Sequence, residues 1–168
     1  FRSAAYYEKE GKGIDFPFPK LFGRLADETI KKYNLDENRY MSALAQISNN
    51  NYSNAKRNSM AQTRKWFMSY EQANMRGTAT NMLVGGRLAT SDCSQVTDGA
   101  AVVILCSKEF IDERNIKNAP VVKGYGHRVA PMRFDKKMEE SKDNKYILPW
   151  TRKAVLDAYR RSGLTIDD

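Results

Sequence analysis

Two clusters in this chain combine residue types that can do chemistry at spacings that let them act together. The first is Lys56-Arg57-Asn58-Ser59-Met60-Ala61-Gln62-Thr63-Arg64-Lys65-Trp66-Phe67, with four cations and two aromatics in twelve residues. An arginine can stack on a planar base or fork onto a phosphate, so the cluster suits a ligand that carries a nucleotide. The same residue types also make a nucleic-acid patch or a solvated basic face over a buried Trp. The second cluster is the polar run Ser91-Asp92-Cys93-Ser94-Gln95-Val96-Thr97-Asp98-Gly99. Its hydroxyls, carboxylates and backbone amides can hold a polar ligand.

Nucleophilic catalysis finds little support. Cys93 sits in the polar run, but its sequence neighbourhood holds no histidine, so a small residue in a crowded turn is the stronger reading. Cys106 falls in an apolar run and reads as a buried, inert thiol. The two cysteines give neither a disulfide framework nor a zinc spacing, and both suit a reducing compartment. His127 is the sole histidine, and a lone histidine in a strand is more often structural than catalytic. No GxGxxG, GxxxxGK[ST] or HExxH pattern occurs.

The elements that must position these clusters follow from periodicity. Gly11, Gly13, Pro17 and Pro19 make residues 1–20 loop-like, and Asp15-Phe16-Pro17-Phe18-Pro19 reads as extended. Leu21, Phe22, Leu25, Ala26, Ile30 and Tyr33 share one helix face, with Lys31-Lys32 in the last turn. Asp36 caps a second helix running to about Ile47, which the run Ser48–Asn54 breaks as a surface loop. The signal from Met68 to Leu88 is weak. Ala100–Cys106 is apolar, rich in β-branched residues and unbroken, the pattern of a strand buried on both faces. A short helix follows over Lys108–Ile116, then a strand over 121–130. Residues 135–146 form an exposed excursion. A last helix starts at Pro149 and ends at Gly163, with Trp150, Ala154, Val155, Ala158 and Tyr159 on one face.

The length of 168 residues is enough for a core and fits one domain or slightly more. No apolar run approaches the ~20 residues of a membrane span. The opening Phe1-Arg2-Ser3-Ala4-Ala5 has neither an initiator Met nor a signal-peptide pattern, so the expectation is a chain begun inside something longer, not a secreted one. The net charge of +8 points to an anionic ligand or surface, or to a merely soluble basic surface.

The segment Asp92-Cys93-Ser94-Gln95-Val96-Thr97-Asp98-Gly99-Ala100-Ala101 resembles a stretch of the thiolases, especially the sterol-carrier-protein-type enzymes and related acetyl-CoA acetyltransferases. Further blocks match in order: Phe16–Pro19 with the two helices after it, Asn58-Ser59-Met60-Ala61-Gln62, Gly124-Tyr125-Gly126-His127-Arg128, and Pro149–Gly163. The match covers nearly the whole chain, but only Asp92–Ala101 is specific.

The resemblance implies a partial thiolase-like α/β fold. Residues 1–90 would be a mostly helical loop domain facing coenzyme A, 91–117 the last strand and helix of the N-terminal half, and 118–168 the start of the C-terminal half. It implies a coenzyme A-binding segment of an acyltransferase that thiolyses 3-ketoacyl-CoA or condenses acyl-CoA. Ser94 matches the serine that contacts the pantetheine amides, and Ser59 a loop serine near the nucleotide. Arg64, Lys65, Trp66 and Phe67 would neighbour the adenine and phosphates. The interval from Phe67 to Ser94 is longer than in the short biosynthetic thiolases, so the register of these four is open. The family's nucleophilic Cys and catalytic His match nothing here, so no catalytic residue is carried over and the segment alone is expected to be inactive. Coenzyme A or acyl-CoA would be substrate, not a resident cofactor. The intact protein would be a homodimer or higher homo-oligomer. It would be cytoplasmic in a bacterium or archaeon and peroxisomal or mitochondrial in a eukaryote. Two other readings remain: a catalytically silent thiolase-like scaffold subunit, and a basic nucleic-acid-binding module, for which no recognisable motif is present.

Overall fold

The computed structural model describes residues 7–15 and 17–168, with Tyr7 described by its backbone alone. The opening pentapeptide and Phe16 lie outside the described residues. Among the described residues helices dominate, with one two-stranded antiparallel sheet. The chain divides into two compact units. One takes in residues up to Gln95 together with Pro131–Ile147, and the other Val96–Ala130 with Leu148–Asp168.

In the first unit a short π-helical turn, Tyr7–Gly11, precedes α1 (Pro17–Tyr33). The expected extended Pro17-Phe18-Pro19 is instead the first turn of α1. Both prolines fit there because the first N–H groups of a helix have no intrahelical acceptor to lose. The helix ends at Asn34, whose φ of 47° turns the chain so that the Leu35 N–H meets the Ile30 carbonyl at 3.0 Å. Asp36 then caps α2 (Glu37–Arg57), accepting from the Arg39 N–H at 2.7 Å. This helix runs ten residues past Ile47, through the asparagine-rich stretch read as a loop. Propensity is a weak prior, and two polar side chains of that stretch have tertiary partners. Ser48 Oγ donates to the Ser91 carbonyl and Asn49 Nδ2 to the Met68 carbonyl.

The weakly patterned interval holds α3 (Tyr70–Asn74) and a hairpin of β1 (Leu83–Gly85) and β2 (Leu88–Ala89), with Leu83 opposite Ala89. Ser69 and Gln72 form a reciprocal capping box at the start of α3. The hairpin lies against α1 through two glycines. A Cβ on Gly23 would fall 2.3 Å from the Gly85 carbonyl oxygen, and one on Gly85 would fall 2.2 Å from that of Pro19. Only residues without side chains permit this approach.

Helix α4 (Lys108–Glu113) belongs to the second unit, and the expected excursion at 135–146 is in large part a helix, α5 (Phe134–Ser141), in the first. Phe134 is buried, and the Glu10 carboxylate accepts the backbone N–H groups of Phe134 and Asp135 at 2.8 and 3.1 Å. A cap supplied from so far along the chain leaves no local sequence signal. At the other end, Lys32 Nζ donates to the carbonyls of Ser141 and Lys142, both at 3.2 Å. The last-turn lysine of α1 thus serves the C-terminus of α5.

In the second unit Ser107 caps α4, which stops at Glu113, short of the expected Ile116. Helix α6 (Pro149–Ser162) starts on Pro149 and ends at Gly163, whose φ is 69°, as its sequence signals require. Its packed face differs in one respect: Val155 is 47 % exposed, whereas Asp157 is buried. Asp157 is ion-paired with Arg128 and Arg160, and the backbone carbonyls of Ala154 and Ala158 lie against Gly126 and Gly124.

The two strands expected at Ala100–Cys106 and 121–130 are not formed. Both segments lack secondary structure. Val102 is 86 % and Ile104 84 % exposed, and Val121 is 78 % exposed. Cys106, expected to be buried, is exposed. β-branched side chains bias the backbone toward extension, but burial of a strand depends on neighbours that its own residues do not encode. Among the described residues no strand flanks either segment, and 121–130 packs only against α6. The two-stranded hairpin is therefore the whole described sheet, and the buried thiolase-like sheet is absent from it.

Candidate functional site

The site lies in the first unit, where α2 ends and the chain folds back along it. Residues 58–66 form successive tight turns: the Ala61 N–H bonds the Asn58 carbonyl, Arg64 that of Ala61, and Trp66 that of Thr63. Asn58 Oδ1 accepts the Met60 N–H at 2.9 Å, an Asx turn that starts the series. Past Phe67 the chain is tied to α2 by the Asn49–Met68 hydrogen bond of 3.0 Å.

The polar turn 90–95 comes to the same place by a separate network. Asn81 is fully buried. Its Nδ2 donates to the carbonyls of Gln72 and Ala73, while its Oδ1 accepts from Thr90 Oγ1 and the Ser91 N–H. Arg76 forms a forked ion pair with Asp92, whose side chain is only 6 % exposed. Asp92 Oδ2 also accepts the Ala89 N–H at 2.8 Å. Ser48 on α2 holds the Ser91 carbonyl at 2.7 Å.

Between these two supports lies an open cavity of about 420 Å³, lined by Tyr52, Trp66, Phe67, Met68, Thr90 and Gln95. The two aromatics of the basic–aromatic cluster and Thr90 and Gln95 of the polar turn therefore line one space. Trp66 and Phe67 are 49 % and 58 % exposed, so their rings are available to a flat ligand. Lys56 Nζ sits 4.3 Å from the Phe67 ring centroid, which adds positive charge beside an aromatic face.

The expected binding residues divide into two groups. Trp66 and Phe67 line the cavity. Ser59, Arg64, Lys65 and Ser94 are exposed and do not line it. Arg64 Nη1 donates back to the Ser59 carbonyl at 3.2 Å, closing the loop on itself. Ser94 is adjacent in sequence to the lining residue Gln95. Sequence reasoning missed Tyr52, Met68, Thr90 and Gln95, and it missed the supports Asn81 and Arg76. Ser48, Asn49 and Tyr52 carried a usable signal, since helical continuation of α2 gives Ser48 and Tyr52 the i,i+4 spacing of one face.

The cysteine in the turn is not activated. Burial, reinforced by the Asp92 carboxylate, pushes the Cys93 thiol above its usual pKa, which disfavours thiolate. His127 is exposed and lies in the second unit. Among the described residues, no group of acidic, cysteine and histidine side chains could hold a metal ion. No helix among them is long and apolar enough to cross a membrane.

No protein-family model, curated protein or solved structure matches the chain. The chemistry of the cavity and the resemblance of Asp92–Ala101 are thus the grounds for a functional reading.

Proposed function

We propose that the first unit binds coenzyme A or an acyl-CoA, as the binding segment of a thiolase-type acyltransferase whose nucleophile and catalytic His lie outside these residues. The observation that supports this reading is the cavity itself, whose lining includes Trp66 and Phe67 together with Thr90 and Gln95. Adenine would stack on the exposed Trp66 ring. The pyrophosphate and 3′-phosphate would draw on Lys56, Arg57, Arg64 and Lys65, all on the adjoining stretch. Arg64 would exchange its bond to the Ser59 carbonyl for a charge-assisted bond to phosphate, which is the stronger of the two. The pantetheine amides would reach the polar turn, where Ser94 is exposed. In this reading the chain's own residues bind and orient a thioester and perform no bond-breaking step. The intact enzyme would be a homo-oligomer.

Calorimetric titration with coenzyme A and with its 3′-dephospho form tests the proposal. Arg64→Ala is expected to weaken coenzyme A binding by roughly 1.5–3 kcal/mol if its guanidinium bonds phosphate directly. If that phosphate is the 3′ group, the variant also loses the preference for coenzyme A over the dephospho form. Trp66→Ala is expected to cost about 1–3 kcal/mol through lost stacking on the base. Binding unchanged in both variants means a solvated basic face. Duplex DNA binding that falls steeply with salt would instead favour the nucleic-acid reading.

The chain of this length is expected to show no thiolysis of acetoacetyl-CoA, because it contains none of the family's catalytic motifs. Turnover above background in a sample verified by intact mass would overturn that expectation.

A further inference from the structure

The basic–aromatic stretch holds a hydroxyl with a charge pattern of its own. Ser59 is the one serine or threonine of the chain with cations at both the second and third positions before it, Arg57 and Lys56. Met60, the residue after it, is 86 % exposed. Ser59 is itself exposed and sits in the turn that follows α2. Its hydroxyl has no hydrogen-bond partner among the described residues. Serine kinases select targets in large part by charge pattern, and a kinase that reads basic residues before its target and an apolar one after it meets that pattern here. Such an enzyme takes its target in extended form. Lys56 and Arg57 are the last two residues of α2, and a helix end opens at little cost.

The surroundings of Ser59 decide what a phosphate there does. No acidic residue occurs from Asn38 to Tyr70. Among the described residues no ion pair engages Lys56, Arg57, Arg64 or Lys65. Arg64 folds back so that its Nη1 donates to the Ser59 carbonyl at 3.2 Å. The guanidinium therefore already stands at the residue that would carry the phosphate. A phosphoserine brings a charge of about −1.5 to −2 and three acceptor oxygens, and beside an arginine it gains charge-assisted hydrogen bonds. These are stronger than the bond Arg64 now makes to a neutral carbonyl.

We propose that Ser59 is a phosphorylation site whose phosphate docks on Arg64 and so withdraws from coenzyme A a cation assigned to its phosphates. Ser59 Oγ attacks the γ-phosphorus of a magnesium-bound nucleoside triphosphate held by a serine kinase. The bond from that phosphorus to the β-phosphate oxygen breaks, the nucleoside diphosphate leaves, and the hydroxyl proton passes to the kinase's catalytic carboxylate. The effect on coenzyme A rests on the binding proposed above; the modification and the Arg64 contact do not.

Incubation of the full chain with magnesium ATP and a serine kinase selective for basic residues at those two positions, followed by intact mass and peptide mapping, reads the modification. A single phosphate on Ser59 is expected, none there in Ser59→Ala, and a rate at least about tenfold lower for Arg57→Ala. A parent chain that stays unmodified, or phosphate elsewhere with Ser59 untouched, overturns the site. Phosphorus NMR over a pH titration reads the docking. The second pKa of the phosphate, about 6 in phosphoserine, is expected to fall, because neighbouring cations favour the dianion. Arg64→Ala should return it toward that value; since Lys56, Arg57 and Lys65 remain in this variant, a titration unchanged by removing Arg64 overturns the docking. Coenzyme A is expected to bind the phosphorylated chain at least about tenfold more weakly than the unmodified chain, and equal binding overturns the regulatory consequence. If the unmodified chain binds no coenzyme A, the binding proposal fails, while the mass and phosphorus results decide the phosphorylation site by themselves.

Discussion

Asp92→Ala is expected to destabilise the first unit by about 3–5 kcal/mol, the cost of leaving one member of a buried ion pair without its partner. Arg76 and Asp92 are 11 % and 6 % exposed in their side chains, so solvent screens the pair little. The substitution strands a buried guanidinium, whose Nε already has no partner. It also removes the acceptor of the Ala89 N–H. That amide belongs to β2, immediately before Thr90. The turn carrying Thr90 and Gln95 therefore loosens as well, and the cavity loses one wall. Denaturant titration followed by Trp66 fluorescence in a Trp150→Phe background isolates the first unit. A midpoint within experimental error of the parent would show that the pair is not buried in solution. Asp92→Asn is the sharper companion, because it preserves shape and can still accept the Ala89 N–H. It should recover part of the loss, whereas a purely steric role for Asp92 would let it recover nearly all.

Gly126→Ala is expected to cost the second unit about 3 kcal/mol, the upper range for forcing a carbon into filled space. A Cβ at this position would fall 1.7 Å from the Ala154 carbonyl oxygen and 2.6 Å from its carbon. The obstacle is helix backbone, which no rotamer change relieves. Residues 121–130 would have to move off α6, breaking the Arg128–Asp157 ion pair and the contact in which Arg161 stacks 4.3 Å from the Tyr125 ring centroid. Trp150, on α6, reports this unit when Trp66 is replaced by Phe. Gly99→Ala is the control, since nothing lies within 4 Å of a Cβ there; it should change stability by less than about 0.5 kcal/mol. Equal effects from both glycines would remove the packing argument.

The elements that were legible in the chain carry their signals locally. The Asp36 cap, the amphipathic face of α1, the Ser107 region that starts α4, and the Pro149 and Gly163 ends of α6 each depend on residues within a turn or two. Backbone chemistry at a helix end is decided by a few neighbouring side chains, so such signals survive without knowledge of the fold. Trp66 and Phe67, which line the cavity, were legible as the aromatic end of a basic–aromatic cluster for a similar reason, since that cluster is contiguous in sequence.

What was not legible depended on partners distant in sequence. The asparagine-rich stretch looks like a loop until Ser48 and Asn49 find the carbonyls of Ser91 and Met68. Helix α5 is capped by Glu10, more than a hundred residues away. Asn81 reads as an ordinary polar residue, and only its burial among four partners makes it the support of the polar turn. The run Ala100–Cys106 is the reverse case. Its composition specifies an extended, apolar backbone, but a strand is buried only when other strands flank it, and none of the described residues do so. Helix hydrogen bonds close within four residues, whereas sheet pairing and burial are properties of contacts between distant segments. That difference in range is why helix ends could be read directly from residues, while the cavity, its supports and the fate of the apolar run emerged only from the folded chain.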